Sequence, residues 1–266
     1  MPARGYADGP FGQIHYQDTG GEGLPLILCH QAPMTSRQYD NVYDVFSKRG
    51  VRAIGIDYPG FGMSDASPEV PSIADYASCV LAMMDHLEIS VADICGHHTG
   101  ALVANETALL YPERIRNVIM HGPCPLSDEE RENWHEYTRV NEKEFVHKTD
   151  GTHLAELFQK RWQWAEEGTH PSLVTRYVVE AMMGYGPFWY GHNAAFSYDH
   201  EASLKKLQHR SLIMTNTGDK IFELAERSHQ LRPDIDYVVL QGGGVDIVDQ
   251  QPEQWVDTIL EFIANT

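Results

Sequence analysis

The pentapeptide Gly96-His97-His98-Thr99-Gly100 constrains this chain more than any other feature. An apolar run, Val91-Ala92-Asp93-Ile94-Cys95, leads into it, and a helix-forming run from Ala101 to Leu110 leads out. Glycines on both sides of such a junction permit a turn too tight for residues with a Cβ, and the turn lifts its central side chain clear of the backbone. That side chain is the imidazole of His98. A strand, a sharp turn and a helix in this order predict a βα unit whose apex presents a histidine.

The surrounding chain repeats the βα pattern. Gln13-Ile14-His15-Tyr16-Gln17-Asp18 alternates as a half-buried strand does, and Thr19 to Gly23 reads as a turn. Leu24 to Cys29 is a continuous apolar run, as expected of a parallel strand buried on both faces. A helix from about Ser36 to Lys48 follows, then a strand from Val51 to Ile56 that ends in a glycine-rich loop, Asp57 to Gly62. Ile73, Tyr76, Ala77, Val80, Leu81, Met84 and Leu87 recur with helical spacing. Asn117–His121, Ser211–Thr215 and Tyr237–Leu240 read as further strands, and Glu253 to Ala264 as a closing helix. Alternating strands and helices predict an α/β fold with a doubly wound, mostly parallel sheet and right-handed crossovers.

The pattern breaks near Leu126. From there to Ser197 the chain is polar, helical and rich in aromatics, including Trp134, Trp162, Trp164, Phe188, Trp189 and Phe196. The expected organisation is a core domain, 1–125 and 198–266, with a helical cap, 126–197, inserted in it. Most of the aromatics should form the core of the cap and the rest an apolar ligand pocket beneath it. Gly184 to His192 combines glycines with large aromatics and is expected to form a flexible lid.

The 266 residues carry 38 acidic and 20 basic side chains, a net charge of −18. So acidic a surface argues against nucleic acid and anionic membranes as partners. Cys29, Cys79, Cys95 and Cys124 form no C-x-x-C pair and are expected to be reduced. The first ten residues contain no apolar signal region, and no run approaches a membrane span. A cytoplasmic chain, with a small-molecule substrate and a possible homodimeric state, is the expectation.

Several motifs in order now point to a family. His30-Gln31-Ala32-Pro33 resembles the H-G-x-P loop, and Asp57-Tyr58-Pro59-Gly60-Phe61-Gly62-Met63-Ser64 resembles the D-x-P-G-x-G-x-S loop, of capped α/β-hydrolases. Gly96 to Gly100 is similar to their nucleophile elbow, Tyr111-Pro112-Glu113-Arg114-Ile115 to the segment after the elbow helix, and Gln251-Pro252-Glu253 to the segment before the last helix. The resemblance spans essentially the whole chain and implies an eight-stranded sheet. It also implies a triad in the order nucleophile, acid, histidine, and there the sequence departs from the pattern. His98 replaces the nucleophile, Ile221 stands at the acid of Gly218-Asp219-Lys220-Ile221, and Val245 stands at the histidine of Gly243-Gly244-Val245-Asp246.

The chemistry must come from what remains. His98 is the candidate base or nucleophile, and the positive end of the helix dipole favours its neutral imidazole. Asp219 or Asp246 is the candidate carboxylate to orient an imidazole, and His30 is a further catalytic candidate. The resemblance implies that the backbone amides of Ala32 and Thr99 hold an oxyanion. Gln31, His97, Trp189 and His192 are candidate substrate contacts, His192 also as a second acid or base. His30, His98 and His121 sit near strand ends, yet they lack metal-ligand spacing, so neither metal nor cofactor is expected. The leading expectation is hydrolysis of an ester, lactone or C–C bond in a small apolar or aromatic carbonyl compound. Alternatives are a lyase, isomerase or cofactor-free oxygenase with His98 as base, and a ligand-binding protein without turnover.

Overall fold

Apolar runs become the centre of one eight-stranded sheet in the computed structural model, which describes residues 1–264. The strands are β1 (Ala3–Gly9), β2 (Gly12–Asp18), β3 (Pro25–Cys29), β4 (Arg52–Ile56), β5 (Ala92–His97), β6 (Ile115–His121), β7 (Arg210–Asn216) and β8 (Asp236–Leu240). Their spatial order is β1-β2-β4-β3-β5-β6-β7-β8. β1 and β2 pair antiparallel, β2 joins β4 antiparallel, and every other pairing is parallel. β3 and β5 are buried along their whole length, as central parallel strands covered on both faces are.

The helices are α1 (Tyr43–Lys48), α2 (Ile73–His86), α3 (Thr99–Leu110), α4 (Asp128–Thr138), α5 (Thr152–Trp162), α6 (Pro171–Met183), α7 (Tyr190–Ser197), α8 (His200–Lys206), α9 (Phe222–Leu231), α10 (Ile247–Gln250) and α11 (Pro252–Ala264). α2 and α3 pack with Ile27, Ile54, Ile94 and Val118 on one face of the sheet. α1 and α11 pack with Leu26, Leu28, Ala53 and Cys95 on the other, around the fully buried Trp255. Side chains alternate across a strand, so each face receives every second residue.

Two elements differ from the sequence reading. β1 was not anticipated, because its run holds only one fully buried apolar residue, Ala7, among small and charged neighbours. The helix expected from Ser36 is a single 3-10 turn, Ser36–Tyr39, separated from α1. Thr35 caps that turn, and Asp57 in the neighbouring loop accepts the Ser36 amide at 2.7 Å, so tertiary contacts hold the turn where propensity alone suggests a longer helix.

Between β6 and β7 the chain forms α4 to α8. Leu157, Val178, Ala181 and Phe188 make a small core of their own there. Charged contacts fasten this segment to the sheet: Arg161 to Asp246 at 2.6 Å, Arg176 to Asp249 at 2.9 Å, and Glu180 to the Thr35 amide and hydroxyl at 3.0 Å each. Gly184 and Gly186, in the segment expected to form a lid, have a definite packing role. Gly186 donates its amide to Gly60, and a Cβ on either Gly184 or Gly186 would collide with the Gly60 backbone. They permit close docking of one loop on another. All four cysteines are free and buried, and no helix among the described residues is long and apolar enough to cross a membrane.

Candidate active site

β5 delivers His98 to the end of the sheet with φ +49°, a conformation that costs a residue with a Cβ roughly 1–2 kcal/mol. The turn is possible because neither flanking glycine has a side chain. A Cβ on Gly96 would enter the Gly100 carbonyl, and one on Gly100 would enter the Cys29 carbonyl. The His98 amide donates to the His121 carbonyl at 2.8 Å, which ties the turn to β6.

The loop after β7 brings Asp219 to His98. Nε2 of the imidazole lies 2.7 Å from Oδ2 of Asp219, while Oδ1 accepts the Ile221 amide at 3.1 Å. Burial works against the Asp219 charge, but the adjacent His98 and the Ile221 amide hold the carboxyl below its usual range. A carboxylate accepting Nε2–H leaves the lone pair of a neutral imidazole on Nδ1, which has no protein partner among the described residues. The carboxylate therefore orients the ring and selects its basic nitrogen.

Gly122, at the end of β6, makes room for this ring. Its φ is +64°, and a Cβ there would collide with Cδ2 and Nε2 of His98. The sequence reading did not single it out. Gly122→Ala should turn the imidazole off Asp219 and reduce any His98-dependent turnover by about 100-fold, while the positive φ costs about 1–2 kcal/mol of stability. Parallel measurement of kcat and of the urea midpoint checks this. A variant with full turnover would show that the ring's position is not required.

His98 opens on a cavity of about 120 Å³. Gln31, Ala32 and Thr99 line it from the core, and Trp134, Tyr137, Glu142, Arg161, Trp164, Tyr177, His192 and Phe196 line it from the inserted segment. Tyr137, Glu142, Arg161 and Tyr177 escaped the sequence reading. Their spacing resembles that of any polar amphipathic helix, and only docking onto the sheet gives them a common focus. Neither the Ala32 nor the Thr99 amide meets a protein acceptor among the described residues.

Other candidates lie elsewhere. His30 is fully buried, with Nδ1 2.9 Å from the Gln31 carbonyl and Nε2 accepting the Tyr58 amide at 3.2 Å, so both nitrogens serve the loop. Asp246 pairs with Arg161 and not with an imidazole, because the last loop turns it toward α5. Trp189 packs beneath Nζ of Lys143, 4.8 Å from the ring centroid, and is not a cavity wall. His97 is fully buried behind the elbow.

His97, His98 and Asp219 do place ligand atoms within 4.8 Å of one another. The donor chemistry of His97 opposes a metal there. Gln38 accepts the Gln31 amide at 2.9 Å through Oε1, so its Nε2 must donate to Nδ1 of His97, 2.6 Å away. A neutral His97 then carries its proton on Nε2, the atom a metal would need. His121 is likewise engaged, accepting from Trp255 at 2.8 Å and meeting Asn216 at 3.0 Å.

These buried imidazoles set the acid stability. Burial pushes His30 and His121 down to about 4, and His97 well below its usual value. Their stabilising effect is complete above the unfolded value of about 6.5 and is lost as pH falls toward 4, since the unfolded chain takes up protons first. Each of the first two contributes roughly 3 kcal/mol by this linkage. Glu180 acts in the opposite direction. Burial pushes its carboxyl up to about 7, so the folded state gains from it as pH falls from 7 toward 4.5. Burial also pushes His200 down to about 4, and these four histidines outweigh the groups raised on folding, Glu180, Asp249 and His192, so the melting temperature should fall between pH 7 and pH 5. Glu180→Gln should steepen that fall, and an unchanged slope in calorimetry would contradict the assignment.

The family model of the alpha/beta hydrolase fold matches residues 25–252. The chain belongs to that family. It is similar to the 2-hydroxy-6-oxononadienedioate/2-hydroxy-6-oxononatrienedioate hydrolase of Burkholderia vietnamiensis, 34% identical over 119 residues, a stretch covering 43% of this chain and 41% of the relative. Over nearly its full length it is similar to the non-heme chloroperoxidase of Streptomyces lividans, 24% identical over 271 residues, 95% of this chain and 96% of the other. The enol-lactonase of Burkholderia xenovorans shares the fold, with TM-score 0.82 at 18% identity, over 98% of this chain and 100% of that one. The chain has the eight-stranded, mostly parallel sheet of that family. It carries an imidazole at the elbow apex and Val245 in the last loop.

Proposed function

We propose that this chain is a cofactor-independent α/β-hydrolase-fold enzyme that hydrolyses an ester, lactone or C–C bond of a small, apolar or aromatic carbonyl compound. The observation that carries the reading is the His98–Asp219 pair, 2.7 Å apart, at the elbow apex and open to an aromatic-lined cavity. Nδ1 of His98 acts as base toward water or as nucleophile, and the amides of Ala32 and Thr99 hold the oxyanion that forms at the carbonyl. The hydrolases and the lactonase among the relatives support a carbonyl substrate. The cavity's size and its Trp134, Trp164 and Phe196 walls support an apolar one.

Proton abstraction beside a carbonyl, as in a lyase, isomerase or cofactor-free oxygenase, is the second reading. It is favoured by the direct imidazole–carboxylate pairing at the apex, which makes a base without supplying a hydroxyl nucleophile. A panel of aryl esters, lactones and β-diketones, given to the wild type and to His98→Ala, tests the first reading. Histidine-dependent turnover inhibited by a boronate mimic of the tetrahedral state supports hydrolysis. Turnover indifferent to such mimics shifts the assignment to proton abstraction, and turnover equal in both proteins removes His98 from the chemistry.

A further inference from the structure

The cavity that exposes His98 also exposes a second imidazole–carboxylate pair. Nδ1 of His192 lies 2.7 Å from Oε1 of Glu142, and both residues line the wall formed by the inserted segment. We propose that His192, held by Glu142, is the general acid that protonates the leaving group, a role supplied from the inserted helices where the last loop carries Val245. This inference rests on the hydrolytic reading above.

The local structure is built to hold the pair. Immediately after α4 the backbone forms a π-helical turn, Arg139–Lys143, and Glu142 lies within it. The wider turn rotates its residues relative to the α-helix before it, and such turns recur at functional sites. The Glu142 side chain is nearly buried, and its second oxygen, Oε2, has no partner. A carboxylate so placed needs a cation beside it. α7 comes close enough to supply one because Gly191 presents no Cβ to Ala32. Phe196, one turn along α7, stacks on the His192 ring at 5.7 Å with the planes 4° apart, which fixes the ring's orientation. Nε2 of His192 is left without a protein partner among the described residues. Burial opposes a charge on His192 and so does Arg161, but Glu142 outweighs both and holds the imidazole above its ordinary range.

The step balances. Nδ1 of His98 takes a proton from water as the water oxygen bonds to the carbonyl carbon. The tetrahedral oxyanion then re-forms its carbonyl and breaks the bond to the leaving oxygen, which receives the Nε2 proton of His192. His98 returns its proton through solvent and His192 regains one, so the net reaction consumes one water and yields acid and alcohol.

Two esters of one small aromatic acid, the 4-nitrophenyl and the ethyl ester, distinguish this role. A nitrophenolate leaves without protonation, whereas an alkoxide does not. His192→Gln should lower kcat for the ethyl ester by about 100-fold and for the nitrophenyl ester by less than about 5-fold. Glu142→Gln, a change to a positioning residue, should show the same selectivity more weakly. It should also move the alkaline limb of kcat to lower pH without changing KM, because the imidazolium loses its carboxylate. Equal losses on the two esters, or none on the ethyl ester, would overturn the inference and leave the hydrolytic reading standing. Absence of wild-type turnover on both esters, and on the wider panel, would sink the two together.

Discussion

His98→Ala should lower kcat/KM on any substrate of this site by about 1,000-fold or more, with the fold unchanged. Removal of a positioned base typically costs about 100- to 10,000-fold. His98 projects into the cavity from a turn whose backbone is fixed by Gly96, Gly100 and the His121 carbonyl, so loss of the ring leaves the sheet intact. Asp219→Asn should cost nearly as much for a different reason. The amide can present an N–H to Nε2, and the imidazole then keeps its proton on Nδ1, where the lone pair is needed. The geometry would survive and the base would not. Steady-state kinetics of the two variants, with circular dichroism as the control for folding, checks both. Full turnover in Asp219→Asn would mean that tautomer selection plays no part.

Gly96→Ala and Gly100→Ala should each destabilise the chain by about 3 kcal/mol or more. A methyl group at either position meets backbone carbonyls, of Gly100 and of Cys29, and neither can move without disturbing the centre of the sheet. Overpacking against a flexible side chain is relieved by a rotamer change, and overpacking against a buried strand is not. Gly168→Ala is the useful contrast. Its φ is +85°, yet no atom lies within 4 Å of a Cβ built there, so only the left-handed conformation, about 1 kcal/mol, is at stake. Urea midpoints for the three variants should separate them clearly. A Gly100→Ala protein as stable as Gly168→Ala would show that the elbow relaxes more readily than its packing implies.

The chemistry of this site arises between residues far apart in the chain. His98 and Asp219 are separated by 121 positions, Arg161 and Asp246 by 85, and Glu142 and His192 by 50. The sequence offered two carboxylates, Asp219 and Asp246, as partners for an imidazole, and nothing local separates them. Both follow a strand of the sheet in a glycine-containing loop. The loop after β7 turns Asp219 back over the elbow, while the last loop turns Asp246 to the buried guanidinium of Arg161. His30 was open to a catalytic reading for the same reason: its engagement with Gln31 and Tyr58 depends on a loop conformation that residue types do not encode.

The βα alternation and the glycine-flanked turn after β5 were legible in the residues alone. Those features follow from interactions between neighbours: apolar periodicity sets which face of an element is buried, and glycine alone tolerates the elbow's turn. β1 escaped because it is a largely exposed strand held by its pairing with β2 and carries no apolar pattern of its own. Tertiary structure decided which imidazoles meet which carboxylates, that Gly122 clears space for one ring and Gly191 admits another, and that His97 points a proton where a metal would need a lone pair. A hydrogen bond between side chains forms only when the backbones carrying them are placed to within a fraction of an ångström, and that placement is a property of the assembled sheet.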